Sequence, residues 1–190
     1  MKITMTPKQF CANYNACSDG AEFAGKFETM AEVWDVCPRA DWLLWILEKL
    51  EIRDDKKLRL FACWCVRNTK LASGRMVWDL LTDDRSRKAV EVAEAFARGE
   101  ATQSDLNDAR EAAWAAWAAA GEAAGAAWAA WAAAGEAAWA AGAAAGEAAW
   151  DAAWDAARAA DWAAGEAACK QQADHLRTVF ANPFLEEASK

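Results

Sequence analysis

Between Glu111 and Cys169 the chain is built almost wholly from alanine, interrupted by tryptophan, glycine and glutamate at helical spacing. Trp114, Trp117, Gly121, Gly125, Trp128, Trp131, Gly135, Trp139, Gly142, Gly146, Trp150 and Trp154 follow one another in steps of three or four. At 3.6 residues per turn such steps form one stripe, so indoles and glycines share a face. Trp117 to Trp128 and Trp139 to Trp150 each advance eleven residues, a repeat that favours a straight or gently right-handed helix. Glu111, Glu122, Glu136 and Glu147 fall together on the flank of the stripe and keep that edge charged.

The stripe demands a cover. Each interior glycine costs a helix about 1 kcal/mol, and the tract carries six from Gly121 to Gly165. Close packing is the natural offset, because a glycine beside an indole leaves a hole that an opposing aromatic ring can fill. The seven stripe indoles would bury roughly 1,000–1,750 Å², the scale of a full protein–protein interface. Left exposed, such a surface invites aggregation. Two covers remain open: the rest of this chain, or another copy or partner.

Charge and cysteine usage narrow the class. The 190-residue chain carries a formal net charge of −8. Glu111 to Cys169 holds eight acids against Arg158 as the single base. Binding to a nucleic-acid backbone is not expected there. The six cysteines, Cys11, Cys17, Cys37, Cys63, Cys65 and Cys169, come without a secretory leader, so reduced thiols and a cytoplasmic location are expected, the host cytoplasm if the protein is phage-encoded. An acid recurs within the alanine tract before about eighteen apolar residues accumulate, so no membrane span is expected.

The expected fold is all-α. Thr6-Pro7-Lys8-Gln9 has the cap, first-turn proline and third-position glutamine of a helix start, and Thr29-Met-Ala-Glu32 is a second capping box. Asp41 is expected to cap Trp42–Leu47, and Asp54 or Asp55 to cap a helix from Lys56 to Thr69. Trp78, Leu80 and Leu81 suggest a short helical turn, and Ser86 to Arg98 an amphipathic helix stopped at Gly99. Thr102 then opens a run with no proline until Pro183. Three regions follow: an N-terminal bundle of short helices over 1–101, one long helix over 102–182, running from about Gln103 to Ala181, and a tail over 183–190. A hairpin between Gly142 and Gly146 is the rival arrangement.

Chemistry-bearing motifs are sparse. Cys63 and Cys65 lie two apart, which on a helix points them roughly 200° apart, so a shared metal ion is not expected and buried structural thiols are. His175 is the chain's single histidine, which speaks against a catalytic triad. Glu122, Glu136, Glu147, Asp151 and Asp155 read as a solvated flank, and Asp83 to Lys88 as a charged helix start. Asn182-Pro183-Phe184 matches a short adaptor-binding motif, but a helix stop followed by an apolar anchor explains it equally. An alanine repeat of this period is also found in ice-binding helices, whose regular threonines are missing here.

Asp54 to Arg67, Trp78 to Thr102 and Leu176 to Phe184 together resemble an uncharacterised family of Ala/Trp/Arg-rich proteins of tailed phages and some bacteria, including planctomycetes. The chain is also similar to helical immunity-type domains with an alanine-rich second half. Where arginine-rich members carry Ala-Arg, this chain has Gly-Glu. The resemblance supplies no catalytic residue and implies a small accessory role, such as counter-defence by binding a host protein or sequestering a signalling molecule.

The leading expectation is a non-enzymatic interaction protein, without cofactor, metal, nucleic-acid or membrane partner. It would use the twelve stripe residues for homo-oligomerisation or partner docking. The alternative is a small-molecule binder in which indoles stack on a planar, nucleotide-like ligand. In that case Arg67, Arg75, Arg85 and Arg87 are the residues to hold its anionic group.

Overall fold

The computed structural model of the protein describes residues 5–70, 74–123 and 165–185, with side chains in the middle segment as far as Ala115. Among these residues the fold is all-α: eight α-helices and one 3-10 turn, with no strand. The helices are α1 (Pro7–Asn13), α2 (Ser18–Ala24), α3 (Met30–Val36), α4 (Ala40–Lys49), α5 (Asp55–Asn68), α6 (Asp84–Arg98), α7 (Gln103–Ala123) and α8 (Glu166–Val179). The 3-10 turn spans Val77–Leu80, between α5 and α6.

Local chemistry sets most of the boundaries. Both capping boxes form as expected, Thr6 with Gln9 and Thr29 with Glu32. Asp54 accepts from the Lys57 amide and Asp83 from the Arg85 amide. Gly99 ends α6 at φ 83°, a left-handed conformation that glycine adopts without penalty. Thr102 and Asp105 then exchange backbone-to-side-chain bonds of 3.2 and 2.7 Å to open α7. One cap differs from expectation. Arg39, not Asp41, occupies the cap position of α4, and Asp41 instead accepts a two-pronged bond from Arg39 at 3.0 and 2.7 Å. Inside the first turn its carboxylate still faces the positive end of the helix dipole.

The long middle helix, α5, divides the interior. Leu58, Phe61, Ala62 and Cys65 recur at the spacing of one helical face and pack into a core with α1, α3, α4 and α8. Cys63 and Val66 point the other way, into a second core made with the 3-10 turn, α6 and the first turns of α7. Cys63 and Cys65 therefore serve different cores, as their two-residue spacing requires. Phe61 and Leu58 are fully buried, and each contributes about 2–3 kcal/mol of transfer free energy.

The C-terminal segment closes the first core. Leu176 and Ala173 of α8, with Phe180 just beyond it, join that core. The Arg177 guanidinium donates to the carbonyls of Trp34, at 2.8 Å, and Cys37. Asn182 donates to the Ala31 carbonyl at 3.0 Å and to Asp35 at 2.8 Å, and its own side-chain oxygen accepts from the Phe184 amide. Phe184 meets Phe10 edge-on with centroids 5.7 Å apart. In this setting Asn182-Pro183-Phe184 acts as a staple between the chain end and α1 and α3.

The helical run expected to reach Ala181 without a break is interrupted. Gly165 has φ 68° and ψ −169°, outside the helical region, and α8 begins afresh after it and ends at Val179. The rest of that expected helix, and the alternative bend at Gly142 to Gly146, lie outside the described residues.

Candidate functional site

Two places in the fold bear on function: the root of the alanine-rich tract and a cleft beside Trp78. At the root, Ala113 of α7 and Ala168 of α8 are both buried in the second core, together with Leu106, Val90 and Leu81. A straight helix continuing from Ala113 would carry Ala168 about 80 Å away. Ala113 and Ala168 therefore fix α7 and α8 to one core. Trp114, the first member of the stripe, is 37% exposed. Trp117 and Gly121 fall within the α7 backbone, with their surroundings outside the described residues. Gly125, Trp128, Trp131, Gly135, Trp139, Gly142, Gly146, Trp150 and Trp154 lie outside the described residues altogether.

The second place gathers the candidate arginines around the 3-10 turn. Arg67, at the end of α5, sends Nε and Nη2 to the two oxygens of Glu94 at 2.6 and 3.0 Å and lies 4.1 Å from the Trp78 ring centroid. The Glu94 hydrogen bond raises the Arg67 pKa further above its ordinary value. Arg75 donates to the Asp79 carbonyl at 3.2 Å. Arg85 forks onto the cap residue Asp83 at 3.0 and 2.7 Å, and that bond holds the Asp83 carboxyl below its ordinary range. Arg87 is different. Its guanidinium carbon stands 5.7 Å from the same Trp78 ring, and its Nε is buried with no hydrogen-bond partner among the described residues.

Arg85 and Arg87 share a cleft of about 640 Å³ with Trp78, Lys88, Asp84 and Glu91, floored by Ala109 and Ala112 of α7. Arg67 and Arg75 stay outside its lining. Sequence reasoning named the arginines but missed Trp78 as their common ring and Glu94 as the partner of Arg67. Trp78 sits in a short apolar turn that reads as core, and Glu94 is 27 positions from Arg67, a pairing that only the α5–α6 packing creates.

Other chemistry-bearing groups have structural employment. A cavity of about 310 Å³ among α1–α4 is lined by Cys11, Cys17 and Cys37 together with Phe23, Trp42 and Ile46. Burial raises the Cys11 thiol and pushes Cys37 up to about 11, so these two are neutral near pH 7 and poor metal ligands or nucleophiles. Burial likewise pushes Cys63 up to about 12. None of the six cysteines forms a disulfide, and among the described residues no group of histidines, cysteines and acids has an arrangement that could hold a metal ion. His175 stacks on Trp64 with centroids 3.7 Å apart, and loss of solvent lowers its pKa. Thr178, the hydroxyl nearest its ring, donates to the His175 carbonyl at 2.7 Å. No helix among the described residues is long and apolar enough to cross a membrane.

No protein-family model matches the chain, and neither a curated protein nor a solved structure matches it.

Proposed function

We propose that the protein is a non-enzymatic helical interaction protein. Its body anchors both roots of the Ala/Trp/Gly tract, and the indole-and-glycine face of the tract assembles with a second copy of the chain or docks on a protein partner. The observation that carries this reading is the burial of Ala113 and Ala168 in one core. Both ends of the intervening stretch of some fifty residues are fixed in this one core, which suits an interaction element better than a spacer between two domains. Its sequence suits that role, with indoles and glycines on one stripe and acids on the flank. The 37% exposure of Trp114, the first member of the stripe, supports the reading. A phage accessory role in the host cytoplasm, such as counter-defence, belongs to the same proposal and rests on the resemblance of its sequence blocks.

The test compares Gly125→Leu with Glu122→Gln by light scattering and by thermal melting at several protein concentrations. Overpacking a glycine groove typically costs about 1–3 kcal/mol, whereas an exposed charge change stays within about 0.5 kcal/mol. The glycine variant should lose assembly or melt lower, and the glutamate variant should behave as the parent. An unchanged mass and melting temperature for Gly125→Leu would remove the packing role of the stripe.

A further inference from the structure

Protein interiors hold few voids larger than a water molecule, yet α1–α4 surround a cavity of about 310 Å³. Its floor is formed by Cys11, Ala24, Met30, Val33, Cys37 and Ile46, all buried. Phe23, Trp42 and Trp45 stand half-buried around its rim, and Cys17 and Asn15 are exposed there. A solute can therefore enter past Cys17 and reach an apolar base.

Gly20 helps to keep this space. It stands in the first turn of α2, where alanine is the better helix former. A Cβ at this position would meet the Trp42 ring at 3.8 and 4.0 Å and the Cys17 sulfur at 3.2 Å. The tight contact is with an exposed side chain that can yield, so the glycine leaves room beside the indole rather than relieving a clash in the core.

The lining also restricts the charge of an occupant. Among the described residues Asp41 is its single charged member, and both carboxylate oxygens are taken by the fork of Arg39 at 3.0 and 2.7 Å. Arg39 stays outside the lining, so the ion pair is closed without filling the space. Burial keeps the Cys11 and Cys37 thiols neutral. An ionic group inside would find no counter-charge, and burying it unpaired is costly. Aromatic rings on the rim and sulfur atoms on the floor favour a flat aromatic ring, which packs edge-on or offset against indoles and takes sulfur at its margin. An apolar cavity of about 150 Å³ accommodates benzene, so about twice that volume matches two fused rings.

We propose that this cavity binds one uncharged two-ring aromatic molecule of the indole or naphthol class. The ring system sits between the Phe23, Trp42 and Trp45 rim and the sulfur-bearing floor. Its N–H or O–H stays at the open side, where Asn15 or water accepts it. The site lies apart from the Trp/Gly stripe and stands or falls independently of the assembly reading.

Isothermal titration of the full-length protein at pH 7 with indole and 2-naphthol tests this, with phenol, 1-octanol, indole-3-acetate and tryptamine as controls. Indole and 2-naphthol should bind at one site per chain, and each control at least tenfold more weakly. Location is read separately: saturating 2-naphthol should slow iodoacetamide labelling of Cys17 at least fivefold. Ala24→Met should abolish binding by filling the floor. Gly20→Ala leaves every charge in place and decides the matter should the first variant fail to fold; it should weaken binding at least threefold at a melting temperature no lower than the parent's. Absence of heat for both ligands up to about 1 mM, 1-octanol or indole-3-acetate binding as tightly as 2-naphthol, unchanged Cys17 labelling, or parental affinity in Gly20→Ala would each overturn the proposal.

Discussion

Replacing Arg67 by methionine gives the sharpest test of how α5 is held to α6. Arg67 closes α5, reaches both oxygens of Glu94 on α6 at 2.6 and 3.0 Å, and covers Trp78 of the 3-10 turn at 4.1 Å. The Glu94 side chain is only 14% exposed and the Arg67 side chain 32%. Removing one partner of a fully buried pair costs about 3–5 kcal/mol, because the other charge stays behind in a poor solvent. Two features pull the value down here: a third of the arginine is already hydrated, and Arg98 remains 4.0 Å from Glu94. About 2–3 kcal/mol is therefore expected. Loss of the cation–π contact adds about 0.5–1 kcal/mol, partly offset by methionine sulfur on the same indole. The pair itself is worth far less than its breakage. Arg67→Met combined with Glu94→Leu should accordingly be more stable than Arg67→Met alone, and lie within about 1 kcal/mol of the parent. Urea unfolding followed by circular dichroism at pH 7 measures all three proteins. A cost below about 0.5 kcal/mol for Arg67→Met, or a double variant no better than the single one, would refute this account of the α5–α6 junction.

Two further outcomes follow from the burial of titratable groups. His175 has its pKa lowered by desolvation against Trp64. The folded state therefore resists its protonation, and its contribution is intact above the unfolded value of about 6.5 and is lost as the pH falls below it. Unfolding measured from about pH 7 to pH 5 should show less acid destabilisation in His175→Phe than in the parent, and equal slopes would contradict the stacking argument. Cys17 is exposed whereas Cys11, Cys37, Cys63, Cys65 and Cys169 are buried. Alkylation without reductant, read by mass spectrometry, should accordingly modify Cys17 first and the other five only on unfolding. Rapid labelling of Cys63 or Cys65 in the folded protein, or intact disulfides, would overturn the assignment of structural thiols.

The helical class was legible in the chain because its signals are local. Thr6, Thr29, Asp54 and Thr102 satisfy amides within three residues of themselves, and Gly99 supplies a left-handed stop. The opposed directions of Cys63 and Cys65 follow from helical periodicity alone. Asp41 was misassigned for a reason equally local but finer: Arg39 competes for its carboxylate, and sequence spacing does not rank an arginine fork against a helix amide.

What set the break at Gly165 was long-range. No proline lies between Thr102 and Ala181, and since every glycine of the tract carries the same cost inside a helix, residue type does not single out Gly165. Tertiary packing made the choice at Gly165, where α8 starts afresh with Ala168 buried in the second core and Leu176 and Phe180 in the first. The same holds for the Trp78 cleft. Arg67, Arg75, Arg85 and Arg87 were legible as the cations an anionic ligand would need, but which of them are spent on carboxylates depends on the packing of α5 and α6 and on the helix cap at Asp83. Charge is a property of the sequence. Whether a charge has a partner is decided by distance, and distance between remote residues exists only once the cores have formed.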